Sequence, residues 1–170
     1  MGVEVEIQLV SRLDAGIDTA NRTGANEEVD LLALAAEECS RVDGAELEGE
    51  PATLRGDPRL LRRMIRNLLV NAQRHGAPPI EVAVRRSGEG VEISVRDHGP
   101  GIPDADRERV FEPFFRRAGA SQAGGAGLGL ALVRQIAERH GGQAACGAPP
   151  AGPGSRFSVV LAATAEVANK

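Results

Sequence analysis

The 170-residue sequence predicts an α/β two-layer sandwich, a mixed and mostly antiparallel sheet covered on one face by helices. Three patterns carry that expectation. Ile80, Val82 and Val84 alternate with other residues, 87-SGEG-90 turns the chain, and Val91, Ile93 and Val95 alternate again, which describes an antiparallel hairpin with one buried face. Leu60, Leu61, Met64, Ile65, Leu68, Leu69 and Ala72 recur at helical spacing, as do Leu128, Leu132, Val133 and Ile136, so each set forms the inward stripe of a helix. Two short strands, at about 142–147 and 155–162, complete the sheet.

The remaining elements follow in chain order. Ile7, Val10, Leu13 and Ile17 make one stripe of an amphipathic helix, half of a helix pair. The polar stretch 21-NRTGANEEVD-30 reads as a linker whose last residue, Asp30, caps a helix carrying Leu31, Leu34, Ala35 and Cys39 on one side. The expected division is therefore 1–26 for the helix end and linker, 27–163 for the folded domain and 164–170 for a tail. After 43-DG-44 come two brief strands, 45-AELEGE-50 and 52-ATLRG-56, and 56-GDP-58 turns into the long helix, which Gly76, Pro78 and Pro79 end. Beyond 97-DHGPGIPD-104 a short charged helix runs from Arg107 to Phe111, and the glycine- and alanine-rich stretch 118–126 has too little apolar mass to pack firmly, so mobility is expected there.

Composition narrows the function classes. A 42% hydrophobic content supports one good-sized core, and the 20 Lys and Arg residues, in a chain of net charge -4, are not gathered into a basic tract, which argues against nucleic acid as a partner. Cys39 and Cys146 lack metal-ligand spacing and read as core residues; with no signal-peptide pattern, the expected setting is reducing and cytoplasmic. The apolar run 157-FSVVLAA-163 is too short to span a bilayer, so any membrane attachment belongs to a longer parent protein. Tyr and Trp are absent and three of the four Phe crowd into 110-VFEPFF-115, which points to a local packing task.

Three segments carry candidate chemistry. The stretch 124-GGAGLGLALV-133 feeds glycines into a helix start, where unobstructed N–H groups and the helix dipole favour an anion; it lacks the Lys-Ser/Thr pair of a P-loop, and a plain flexible helix cap explains it equally well. Asn67, Asn71 and His75 form an i, i+4, i+8 row beside an apolar face, and an asparagine oxygen is a hard neutral ligand suited to Mg²⁺; capping of a neighbouring loop is the alternative. In 97-DHGPGIP-103, an aspartate leaving a strand with glycines two and four residues on lets backbone approach a flat ligand while Asp97 accepts a hydrogen bond from adenine's amine, and an Asx-turn is the alternative.

Taken in order, these segments resemble a family. Asn67-x-x-x-Asn71 with Arg74-His75 resembles the N box, Asp97-x-Gly99-x-Gly101 the G1 box, 110-VFEPFFR-116 the F box and 125-GAGLGLALV-133 the G2 box of the ATP-binding catalytic domain of bacterial sensor histidine kinases, part of the superfamily shared with gyrase and Hsp90. The resemblance spans roughly 28–163 and implies the Bergerat fold, with ATP and Mg²⁺ as ligands. It implies that Asn71 ligates Mg²⁺, that Asn67 supports the phosphate region less directly, that Arg74 approaches a phosphate and that His75 lies against adenine or ribose. Asp97 takes the adenine amine, with Gly99 and Gly101 shaping the pocket floor. The segment 116–126, with Arg116 and Arg117 its only cations, becomes an ATP lid docked by Phe111, Phe114 and Phe115, and Gly125, Gly127, Leu128 and Gly129 form the phosphate-side turn.

Two departures qualify the resemblance. Ala126 stands where the family commonly has Thr or Ser, and none of His75, His98 and His140 sits in the family's phosphoacceptor context. Residues 7–20 resemble the tail of the dimerisation domain's second helix, so the expectation is a fragment, monomeric by itself, that transfers the γ-phosphoryl group to a histidine on a separate helix-hairpin dimerisation domain and acts with a response regulator. A serine kinase of the anti-sigma-factor type and a regulatory nucleotide-binding module that never transfers phosphate stay open beside it.

Overall fold

The computed structural model describes residues 26–88, 90–116 and 127–163. Seven strands and three α-helices follow one another as β1 (Glu27–Asp30), α1 (Leu31–Cys39), β2 (Ala45–Gly49), β3 (Thr53–Gly56), α2 (Pro58–His75), β4 (Ile80–Ser87), β5 (Gly90–Arg96), α3 (Gly129–Arg139), β6 (Gln143–Gly147) and β7 (Arg156–Ala162) among the described residues. The expected helix at 7–17 and the tail 164–170 lie outside them.

The main sheet has the order β2-β4-β5-β7-β6, with β2 parallel to β4 and every other neighbouring pair antiparallel. That is the mixed, mostly antiparallel sheet the alternation predicted. Ile80, Val82 and Val84 of β4, Val91, Ile93 and Val95 of β5, and Phe157, Val159 and Leu161 of β7 are all buried, one side chain in two along each strand. They meet the buried faces of the three helices, so the core lies between the two layers. The opposite sheet face carries cross-strand ion pairs such as Arg85–Glu48 at 2.6 Å and Arg156–Glu92 at 3.3 Å.

Helix α2 organises the helical layer. Asp57 caps its start by accepting from the Arg59 N–H at 2.9 Å, Pro58 occupies the first turn, and Leu60, Leu61, Met64, Ile65, Leu68, Leu69 and Ala72 are buried. On the α1 side, Arg66 grips the buried carboxylate of Glu38 through Nε and Nη2, both at 3.0 Å. On the α3 side, His140 at the end of α3 is buried, its Nδ1 lying 2.7 Å from the Ile136 carbonyl and its Nε2 accepting from the Asp57 N–H at 3.2 Å. Among the described residues no helix is long and apolar enough to cross a membrane.

Three elements differ from expectation. Residues Glu27–Asp30 are not linker but strand β1, paired antiparallel with β3 in a ribbon apart from the main sheet. Its one buried apolar side chain, Val29, faces Leu54, too little alternation to signal a strand before the partner is known. The charged helix expected from Arg107 to Phe111 is a pair of 3-10 turns, Asp104–Asp106 and Arg109–Phe111, because only Val110 and Phe111 bury against the core. Leu128 is half-buried in the N-cap position of α3 rather than inward, whereas Leu132, Val133 and Ile136 are buried as expected.

Candidate functional site

The C-terminal half of α2 and the start of α3 enclose a cleft of ≈ 340 Å³. Helical geometry brings Asn67, Val70, Asn71, Arg74 and His75 to one side of it, with Asn67 and Asn71 half-buried and Arg74 and His75 exposed. Opposite stand Gly127, Leu128, Gly129 and Leu130, and Val110 and Phe115 close the remaining wall. Seven of the candidate residues, Asn67, Asn71, Arg74, His75, Gly127, Leu128 and Gly129, therefore share one cavity.

The glycine turn is built for close approach. Gly127 has φ +74°, and a Cβ there would lie 3.0 Å from the Phe114 Cα. The Phe114 N–H donates to the Gly127 carbonyl at 3.0 Å, joining the F-box segment to the turn, and Phe114 itself holds a left-handed φ of 65°. Leu128 makes no side-chain cap hydrogen bond at the start of α3, and a Cβ on Gly129 would meet only open space. The first N–H groups of an eleven-residue helix thus stand beside the cleft with no side-chain cap hydrogen bond among the described residues, an arrangement that suits an anion. Asn67 does not point only into the cavity: its Nδ2 donates to the Gly129 carbonyl at 3.3 Å and ties α2 to α3. Gly125, with Arg117 and Ala126, lies outside the described residues.

Asp97 sits where β5 leaves the sheet, 3% exposed, against the end of α2. Its Oδ1 accepts from the Gly99 N–H at 2.8 Å and its Oδ2 from the Ser155 hydroxyl at 2.7 Å. Each carboxylate oxygen keeps further acceptor capacity, so the group is oriented without being used up. Gly76 and Gly99 make the approach feasible: a Cβ on Gly76 would fall 2.3 Å from the Asp97 Cγ, and one on Gly99 would fall 2.7 Å from the Gly76 Cα. Gly101 packs beside the Gly154 carbonyl, one residue from Ser155. Asp97, Gly99 and Gly101 do not line the cavity around Asn71; they form a second, backbone-walled corner that meets it through Gly76, the residue after His75. Arg116 is exposed at the end of the F-box segment and is not a lining residue.

Ser155 is a functional candidate that sequence reasoning missed. It lies immediately before β7, whose register places Arg156 beside Arg96 and so Ser155 beside Asp97. The β5–β7 pairing joins strands that are distant in sequence, so nothing local marks the serine. Phe111 packs edge-on to Phe157 with centroids 6.0 Å apart and carries Arg134 over its ring at 4.6 Å, so it anchors this segment to the sheet and α3.

The family described as histidine kinase-, DNA gyrase B- and HSP90-like ATPase matches residues 56–165. The sensor histidine kinase CpxA of Klebsiella pneumoniae is 37% identical over 138 residues, covering 80% of this chain and 30% of that protein. Among solved structures, a mycobacterial sensor histidine kinase, MprB, superposes with a TM-score of 0.70 at 37% identity over 79% of this chain and 97% of that one. The ATP-binding domain of PrrB from Mycobacterium tuberculosis gives 0.65 at 33% identity, covering 82% of this chain and 98% of that domain. The chain thus spans nearly the whole of those solved chains but under a third of the length of the CpxA kinase. Fold, cleft and likeness agree that this chain belongs to the histidine kinase-, DNA gyrase B- and HSP90-like ATPase family, as an ATP-binding catalytic domain of the sensor histidine kinase kind.

Proposed function

We propose that the cleft between α2 and α3 binds Mg²⁺–ATP and presents its γ-phosphoryl group to a histidine on a separate helix-hairpin dimerisation domain. The observation that supports this most directly is a cleft that brings Asn71 to the start of α3, with the oriented carboxylate of Asp97 in the adjoining corner at the end of α2. Adenine is assigned to the corner of Asp97, Gly76 and Gly99, where side-chain-free backbone lies directly against the Asp97 carboxylate. The phosphates fit the Gly127–Gly129 side. No three His, Cys, Asp or Glu side chains converge as a metal cage among the described residues, and Mg²⁺ characteristically takes one or two protein ligands with its remaining oxygens from phosphate and water. Asn71 is the residue that would hold it, and the ion would neutralise charge on the transferring group.

The chain's own contribution is positioning. In the transfer the bond between the γ-phosphorus and the bridging oxygen breaks, a phosphorus–nitrogen bond forms on the acceptor imidazole, ADP leaves, and the acceptor's proton passes to a base on its own domain. Of this chain's histidines, His140 is buried and locked to Ile136 and Asp57, and His98 lies 2.9 Å from Glu81 on the other side of the sheet. His75 lines the cleft itself, so an acceptor on a partner domain is the consistent reading. A response regulator would then receive the phosphoryl group. Mixing the chain with Mg²⁺–ATP and a separately prepared helix-hairpin domain tests the assignment. Acid-labile phosphate on that domain's histidine is expected, and acid-stable phosphoserine on another protein would replace the reading with a serine kinase.

A further inference from the structure

Arg109 lies outside every residue so far given to the nucleotide. It is exposed on the second 3-10 turn, and its guanidinium carbon stands 4.8 Å from the centroid of the Phe115 ring. Phe115 lines the cleft with Val110, and its neighbour Phe114 is hydrogen-bonded to Gly127. A cleft-lining ring therefore holds this guanidinium beside the cleft, whose wall Arg109 does not itself line.

Two neighbouring arginines are committed elsewhere. Arg107 pairs with Asp104 and donates Nε to the Ile102 carbonyl at 3.2 Å, and Arg134 pairs with Glu108 at 3.0 Å while stacked on Phe111. Arg109 makes no ion pair and no side-chain hydrogen bond among the described residues. Stacking uses the flat face of a guanidinium and leaves its in-plane N–H fork open, the edge that recognises a phosphate bidentately. The ring also restricts the side chain before any ligand arrives, which lowers the entropy lost on binding.

We propose that Arg109, oriented by Phe115, binds the terminal phosphate of ATP and makes the site favour ATP over ADP. The proposal rests on the reading of the cleft as an adenine-nucleotide site. Arg109 is the ligand-contacting group and Phe115 positions it.

Calorimetric titrations of ATP and of ADP, both with Mg²⁺, test this on the wild-type chain, Arg109→Ala, Arg109→Lys, Phe115→Leu and the double variant. Arg109→Ala should weaken ATP about tenfold and leave ADP within about twofold, as expected for loss of a charge-assisted contact at an exposed site. Arg109→Lys should recover part of the loss, since a point charge replaces the fork. Phe115→Leu should lower the ATP-to-ADP ratio in the same direction, with Arg109→Ala adding little on top of it. Equal losses for both nucleotides in Arg109→Ala, or an unchanged ATP affinity, would overturn the proposal. A wild-type chain that binds neither nucleotide would overturn the cleft reading itself and the proposal with it, whereas tight ADP binding with an inert Arg109 overturns the proposal alone.

Discussion

At the scale of single residues, two buried polar groups do different things. Asp97 is buried with both oxygens engaged by donors, Gly99 N–H and Ser155 Oγ, so it is held in one orientation facing the corner by Gly76. Asp97→Asn replaces one of those acceptor oxygens with a donor. In nucleotide titrations it should weaken adenine nucleotides by roughly 10- to 150-fold, the loss of a hydrogen bond to a charged acceptor, with the fold retained. Unchanged affinity would remove Asp97 from the site. His140, by contrast, is a structural group: with Nδ1 donating to the Ile136 carbonyl, Nε2 is left to accept from the Asp57 N–H. His140→Leu orphans a buried N–H and should cost about 1–3 kcal/mol, read as a lower Tm. Asp57 is about 21 Å along α2 from Asn71, so ATP affinity should not change. Sequence alone separated these two cases poorly. Asp97 was legible from its glycine spacing, but Ser155 became visible only through the long-range register of β5 with β7.

At the scale of elements, the packing of α1 on α2 is pinned by an ion pair with an uneven exposure. Glu38 is 2% exposed and its carboxyl lies below the ordinary carboxylate range because Arg66 hydrogen-bonds it from two nitrogens, against the opposing effect of burial. A group whose folded-state value is depressed adds stability that is complete above its unfolded value and is lost as pH falls through the folded one. In denaturant titrations the stability gap between wild type and Glu38→Gln should therefore be widest near neutral pH and shrink below pH 4.5, the ordinary value. A gap that stays constant on acidification would show that Glu38 acts through packing. The elements that were readable beforehand are those with a long, locally encoded pattern: α2, the β4–β5 hairpin and α3. β1 and the 3-10 turns were not, since each owes its conformation to partners, β3 in one case and the aromatic anchor around Phe111 in the other.

At the scale of the whole molecule, the sheet is a platform and the helical layer is the working face. α2 runs from the His140–Asp57 lock at one end to the Gly76–Asp97 corner at the other, and the cleft occupies its second half. α3 is tied to α2 at both ends, by Asn67 to the Gly129 carbonyl and by His140 to the Asp57 N–H. The cleft walls thus belong to elements fixed against each other, and the site is set by the fold rather than by a single loop. The row Asn67, Asn71, His75 lies along this wall, and the structure gives Asn67 a tie between the two helices; on the proposed reading, Asn71 is the amide that would hold the metal. Because both side chains are the same amide, only the position of Gly129 distinguishes their tasks.

On the proposed reading, this cleft takes ATP with Mg²⁺ held at Asn71. Calorimetric titration of ATP into wild type and Asn71→Ala, each in excess Mg²⁺ and again in chelator, tests it most directly. Mg²⁺ is expected to tighten ATP binding to the wild type and to have no effect on Asn71→Ala, with both proteins equally folded. The same tightening by Mg²⁺ in both would contradict it.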